Sequence, residues 1–235
     1  MTPGVASTIF GRRLGLAEHY VAILADTGIS HGLIGPREAP RLWERHVLGC
    51  AVIHPALSQG VTVADIGSGA GLPGVVLAIV RPDLEVVLVE PLGRRVGWLQ
   101  DTIAELELLN VTVHEGRAES LFGLRRFPVV TARAVARIGL LSRWCLPLLE
   151  PDGRLVAMKG AKAASELEED FTVVMAAGAV AAVISTYGEG LLDVPTTTVT
   201  VTVSKPPVAP HTAARSGGSG RPRPKTSRPR PPAST

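Results

Sequence analysis

From residue 61 onward the chain alternates short apolar runs with longer stretches in which apolar positions recur every three or four residues. The short runs Val61–Ile66, Val86–Glu90, Val111–His114, Val129–Ala132 and Leu155–Met158 are valine-rich and nearly free of charge, as strands covered on both faces are. Helical periodicity fills 74–81, 93–109, 138–149 and 162–177, with Pro82 stopping the first and Arg137 preceding the third. Strand and helix in alternation predict a mostly parallel sheet with helices on both faces. Two last strands, near Ala182–Tyr187 and Thr197–Ser204, are separated by a loop holding Gly188, Gly190 and Pro195. That loop is too short for a helical crossover, so the pair is expected as an antiparallel hairpin at the sheet edge. Upstream, 6–27 and 37–54 read as two helices interrupted by Gly28, Gly32, Gly35 and Pro36, a small cap against the carboxyl edge of the sheet. The expectation is an α/β, Rossmann-like domain over 57–205 with seven strands, preceded by a helical cap over 1–56.

Composition adds a third region. Residues 206–235 hold eight prolines, a Ser-Gly-Gly-Ser-Gly run at 216–220, six basic residues (Arg215, Arg221, Arg223, Lys225, Arg228, Arg230) and no acid. Such a segment buries too little apolar surface to offset its chain entropy, so a disordered basic tail is expected. The overall net charge of +3 is therefore an average of unlike parts: outside the tail 18 basic residues face 21 acidic ones, a net of −3. The tail reads either as an electrostatic contact to RNA phosphates or as a solubilising segment. No run of about 18 apolar residues and no basic-then-apolar leader occurs, so a cytoplasmic protein without a membrane association is expected. Cys50 and Cys145 stand far apart and outside any Cys/His cluster, which supports neither a disulfide nor a metal site. Cys145, in a helical stretch, reads as core.

The chemistry concentrates in Val63-Ala-Asp-Ile-Gly-Ser-Gly-Ala-Gly-Leu-Pro-Gly-Val75. An apolar strand ends in an acid, glycines then let the backbone turn tightly against a ligand, and a helix begins. This places a nucleotide-like ligand at the carboxyl ends of the strands. The spacing Gly69-x-Gly71-x-x-Gly74 with Glu90 about 20 residues on also satisfies a dinucleotide fingerprint. Two features favour S-adenosylmethionine over NAD. Asp65 precedes the glycine turn, where a carboxylate repels a pyrophosphate but can hold a cationic methionine end directly or through water. The closing antiparallel hairpin is, in addition, a property of Rossmann-like methyltransferases. Glu90, ending the second strand, can accept both ribose hydroxyl protons, against a plain reading as a strand-end acid. Arg117-Ala118-Glu119 is on pattern alone a polar turn.

Together, Asp65-Ile-Gly-Ser-Gly-Ala-Gly-Leu-Pro-Gly74, Ile79-Val-Arg-Pro82, Glu90-Pro-Leu-Gly-Arg-Arg95, Gly116-Arg-Ala-Glu119, Ala132-Arg-Ala-Val135 and Met158-Lys-Gly160 resemble the bacterial small-subunit (16S) ribosomal RNA guanine-N7 methyltransferases, the RsmG (GidB) family. Trp43-Glu-Arg-His46 is similar to that family's cap helix. The resemblance runs from about residue 5 to 204, departs from the family over Gly28–Ala39, and leaves out the tail. It implies a class I methyltransferase fold and S-adenosylmethionine as cofactor. It also implies Gly67, Leu72, Glu90, Pro91, Leu92, Ala118, Glu119 and Arg133 as cofactor contacts beside Asp65 and Gly69, with no metal. Arg45, His46, Arg133 and Lys159 are its candidates for positioning the substrate, which would be small-subunit ribosomal RNA or an assembly intermediate, met by a monomer. His46, beside Trp43 and Val47, also reads as a hydrogen-bonded core histidine. Arg94 and Arg95 are either a basic lip or a solvated helix face.

Guanine N7 carries an in-plane lone pair, so its methylation needs positioning and desolvation rather than a base. The absence of an Asn/Asp-Pro-Pro-Tyr/Phe motif and of a Pro-Cys nucleophile agrees with that chemistry. Two rivals stand. An NAD-dependent oxidoreductase needs an acid/base and a substrate domain for which the region after the sheet is short, and a non-catalytic RNA-binding module leaves the glycine turn and Glu90 without a purpose.

Overall fold

The computed structural model describes residues 2–208. Strands β1 (Thr62–Ile66), β2 (Glu85–Glu90), β3 (Val111–Glu115), β4 (Phe127–Arg133), β5 (Leu149–Lys159), β6 (Ala181–Tyr187) and β7 (Thr196–Thr202) form one sheet in the order β3-β2-β1-β4-β5-β7-β6. The first five pair in parallel, and β7 lies antiparallel between β5 and β6. The expected hairpin is present, and it is its second strand, β7, that joins the parallel sheet.

Side chains alternate between the two faces, as strand geometry requires. Val63, Val86, Leu88, Val129 and Val156 pack on one side with α4 (Gly74–Val80) and α5 (Gly93–Glu105). Ala64, Val87, Val130, Leu155 and Val199 pack on the other, with α6 (Ile138–Cys145) and α7 (Ala163–Ala176). Each layer buries roughly 1.5–3 kcal/mol per large aliphatic side chain, which is what holds the sheet between its helices.

Three boundaries differ from the sequence expectation, each for a local reason. α5 ends at Glu105 rather than near 109, because Glu107 turns to a φ of 51° and Asn110 Nδ2 donates to the carbonyls of Ala78 and Leu84. α6 passes into a 3-10 turn at Leu146–Leu148, where Pro147 has no N–H to continue an α-helix. β5 begins at Leu149, six residues early, since Leu149 already pairs with Phe127 ahead of a register shift.

The cap differs most. In place of two continuous helices it runs α1 (Gly4–Phe10), a 3-10 turn, α2 (Leu14–Ile23) and a π-helical turn Leu24–Gly28. Its second half runs from a 3-10 segment Pro36–Arg41, with Pro40 inside it, into a π-helical segment Leu42–Leu48, then α3 (Gly49–Ala51) and a 3-10 turn His54–Ala56. It does more than meet the carboxyl edge. Tyr20, Leu24, Val47, Cys50 and Ala51 share one hydrophobic cluster with Val63, Leu77 and Leu88, so cap and sheet face have a single core. Tyr20 Oη, fully buried, donates to the Ala70 carbonyl at 2.5 Å, and Trp98 Nε1 donates to Thr27 Oγ1 at 3.0 Å. Of the tail expected over 206–235, residues 209–235 lie outside the described residues. Among the described residues no helix is long and apolar enough to cross a membrane, and no group of three His, Cys, Asp or Glu side chains is placed to hold a metal.

Candidate active site

β1 and β2 end side by side, with Asp65 opposite Leu88 and Ile66 opposite Val89, which brings the glycine turn next to Glu90. Gly67 and Gly69 take φ of +70° and +56°, where only glycine is unstrained. A Cβ on Gly67 would come 2.9 Å from Val135 Cγ2, so the loop after β4 lies directly against the turn. Glu90 is buried and both its oxygens accept from backbone, Oε2 from Gly69 N at 3.0 Å and Oε1 from Leu92 N at 3.1 Å. Each carboxylate oxygen has a second lone pair, so ribose hydroxyls are still acceptable donors. Arg95 Nη1 stands 3.8 Å from Glu90 Oε2, which ties the arginine to the site rather than to a solvated helix face.

Asp65 is fully buried: Oδ2 accepts from Gly74 N at 3.0 Å, and Ser68 Oγ donates to its carbonyl at 2.8 Å. Its Oδ1 has no hydrogen-bond partner among the described residues. Burial pushes its pKa up to about 7, opposed by the Gly74 N–H, because a desolvated carboxylate with one idle oxygen favours the neutral form. Through Oδ2 Asp65 fixes the glycine turn, and its Oδ1 is the oxygen left for the contact expected from sequence, direct or through water. Leu72 and Ala118 are buried beside the turn and after β3, while Leu92 is 45 % exposed, and Pro91 is exposed with it at the end of β2. Glu119 follows in a 3-10 turn, Ala118–Leu121.

On the other side of Val135 opens a cavity of about 950 Å³ between the cap, the β4–α6 loop, the end of β5 and the β6–β7 loop. Arg41, Arg45, Arg133, Arg137 and Lys159 line it. Lys159 Nζ is engaged, donating to the Ala136 carbonyl at 2.6 Å and to Glu166 Oε1 at 2.7 Å; Glu166 Oε1 also accepts from Ile138 N at 2.6 Å. Arg137 is likewise drawn to Glu169 and Asp170 of α7. Arg45 and Arg133 are held as well, by Glu38 and by His46, so among the described residues Arg41 is the cavity cation without a side-chain partner.

His46 does not line the cavity. Its Nδ1 meets Arg133 Nη2 at 2.5 Å and its Nε2 meets Glu38 Oε2 at 2.9 Å, so both ring nitrogens are engaged within the protein, while Arg45 beside it lines the cavity. Burial first and Arg133 second lower the His46 pKa, against the pull of Glu38; the hydrogen bond from His46 lowers that of Glu38. Glu38 and Tyr20 carried no signal in the sequence, since each takes its meaning from a partner on another element, and Val135 stood there only as the last residue of a motif. Glu166 left a trace, as an acid in the first turn of its helix.

A parallel sheet closed by an antiparallel pair, with a glycine turn after β1 and an acid at the end of β2, defines a class I S-adenosylmethionine-dependent methyltransferase fold. Among solved structures, the S-adenosylmethionine-dependent methyltransferase SibL in its apo form aligns with a TM-score of 0.57 at 17 % identity, over 81 % of this chain and 70 % of that one. The family model GidB, "rRNA small subunit methyltransferase G", matches residues 13–192, and the chain belongs to that family. A relative from Arthrobacter sp. (strain FB24), "Ribosomal RNA small subunit methyltransferase G", is 52 % identical over 85 % of this chain and 93 % of its own. Another of the same name, from Salinispora arenicola (strain CNS-205), is 48 % identical over 92 % and 93 %.

Proposed function

We propose that the protein methylates N7 of a guanine in small-subunit ribosomal RNA, using S-adenosylmethionine, in the cytoplasm. The observation that carries this reading is that the glycine turn and an arginine-lined cavity of about 950 Å³ meet at Val135. The names of the relatives supply the substrate. The residues at the turn suit the cofactor: Gly67 and Gly69 carry no side chain to keep its methionine end from the backbone, Glu90 suits its ribose, and Leu72, Leu92 and Ala118 suit its adenine. When bound, S-adenosylmethionine supplies an electrophilic methyl group on a sulfonium.

The chain's own part is positional. N7 attacks with a lone pair already in the ring plane, so no side chain has to remove a proton first. Arg41 and Arg45 draw phosphate to the mouth of the cavity, Arg133 stands between it and the turn, and the apolar walls from Leu48 and Met158 exclude water around an approaching base. Oriented approach and desolvation are the sources of rate in such a site.

The test is incubation of the full chain with methyl-labelled S-adenosylmethionine and small-subunit RNA or particles that lack the modification, followed by digestion to nucleosides. Label in 7-methylguanosine is expected. Label in any other nucleoside, or binding of NAD in place of S-adenosylmethionine by calorimetry, would overturn the reading. Arg45→Ala is expected to raise KM for RNA with cofactor affinity unchanged; equal weakening of both would remove Arg45 from the RNA side.

A further inference from the structure

Arg133, the last residue of β4, is gripped entirely from the cap. Nη2 reaches His46 Nδ1 at 2.5 Å and the Arg45 carbonyl at 3.4 Å, and Nη1 reaches Cys50 Sγ at 3.4 Å. A guanidinium has donors only, so His46 Nδ1 has to be the unprotonated nitrogen. The ring proton then sits on Nε2, which donates to Glu38 Oε2 at 2.9 Å. Glu38 uses its other oxygen to accept from Arg45 Nη1 at 3.3 Å. A carboxylate thus selects the tautomer, and the tautomer supplies the acceptor that aims the arginine. The same logic of an outer acid orienting a histidine operates around metal ligands and catalytic bases.

We infer that Glu38 and His46 are positioning residues for Arg133, holding its guanidinium at the junction of cavity and glycine turn through one tautomer of His46. The inference rests on reading the turn as the S-adenosylmethionine site. It also carries a pH signature. A protonated imidazole presents a donor to the guanidinium and breaks the contact. The charged and titratable groups facing His46 are Glu38 from the 3-10 segment, Arg45 on its own segment and Arg133 from β4; around Arg133 lie Cys50, Tyr20 and Asp65. Two arginines against one carboxylate, together with burial, put the break below the ordinary histidine range.

Calorimetric titration of the full chain with S-adenosylmethionine tests this, using wild type, Glu38→Ala, Glu38→Gln, His46→Ala, His46→Gln, Arg133→Ala and the His46→Ala/Arg133→Ala double variant. Each alanine variant is expected to weaken binding by about tenfold, and the double variant to bind no more weakly than Arg133→Ala, since coupled residues are non-additive. Glu38→Gln keeps an acceptor for Nε2–H and is expected to recover most of the affinity. His46→Gln keeps an acceptor but cannot titrate, so its affinity is expected to hold on acidification where that of wild type falls. Melting curves identify any variant that fails to fold; should His46→Ala fail, Glu38→Ala and His46→Gln still decide. Unchanged affinity in Glu38→Ala and His46→Ala, or full additivity in the double variant, overturns the inference while leaving the cofactor reading intact. A wild-type chain that does not bind S-adenosylmethionine overturns both.

Discussion

Gly67 leaves no room for a side chain: its φ of +70° is strained for any L-residue, and a Cβ would press on Val135. Gly67→Ala is expected to weaken S-adenosylmethionine binding at least tenfold in a calorimetric titration, and Val135→Ala in the same chain to restore only part, because the backbone strain stays. Full restoration would show that the clash alone matters. Asp65 gives a second expectation. With a folded pKa of about 7 against an ordinary 3.8, the folded chain holds a proton that the unfolded chain releases. The contribution of Asp65 to stability is therefore complete below pH 4 and lost as pH rises towards 7, by an amount on the order of 4 kcal/mol. Asp65→Asn keeps an oxygen for Gly74 N–H and does not ionise. Urea denaturation across pH 4 to 8 should show the variant gaining on wild type up to about pH 7 and level thereafter; parallel curves would contradict the buried, half-satisfied carboxylate.

α6 and α7 are joined by polar contacts as well as by their apolar faces. Glu166 Oε1 takes both the first backbone N–H of α6 and the Lys159 ammonium, and among the described residues neither is hydrogen-bonded to another carboxylate. Glu166→Ala is expected to cost about 2–3 kcal/mol in chemical denaturation, and Glu166→Gln about half of that; a loss under about 0.5 kcal/mol would mean that water replaces the contact. This joint also shows which parts of the fold were open to sequence reading. The five parallel strands were legible because runs such as Val86-Val-Leu-Val are apolar on both faces. The cap was not, since the π-helical segments Leu24–Gly28 and Leu42–Leu48 satisfy their periodicity as well as an α-helix would, and only tertiary packing within the shared core decides between them. The insertion of β7 between β5 and β6 is likewise set by pairing, not by composition. At the site, the glycine turn and Glu90 stood out because their chemistry is local. Glu38 and Glu166 did not, because their meaning lies in His46 and Ile138, eight and 28 residues away.

The molecule as a whole has its glycine turn and its arginine-lined cavity supported by one core, since cap and sheet face are continuous. The net charge of −3 outside the tail leaves attraction for RNA to the local cluster at the cavity and to the six basic residues beyond residue 208. A chain ending at Val208 is expected to bind small-subunit RNA more weakly and with a shallower dependence on salt, measured by filter binding at several ionic strengths. An unchanged slope would exclude the tail as an RNA contact. The position of Val135 has a consequence for time as well as for space. Its side chain rests on Gly67, and if the ligand approaches the backbone there, as proposed above, its arrival and displacement of the β4–α6 loop are expected as separate events. In stopped-flow experiments the observed rate should level off at high S-adenosylmethionine concentration, at the frequency with which that loop moves aside, and Val135→Ala should raise the plateau; a rate that climbs linearly without limit would mean that Val135 is no obstacle. The pace of loading would then be set by a residue that takes no part in the chemistry.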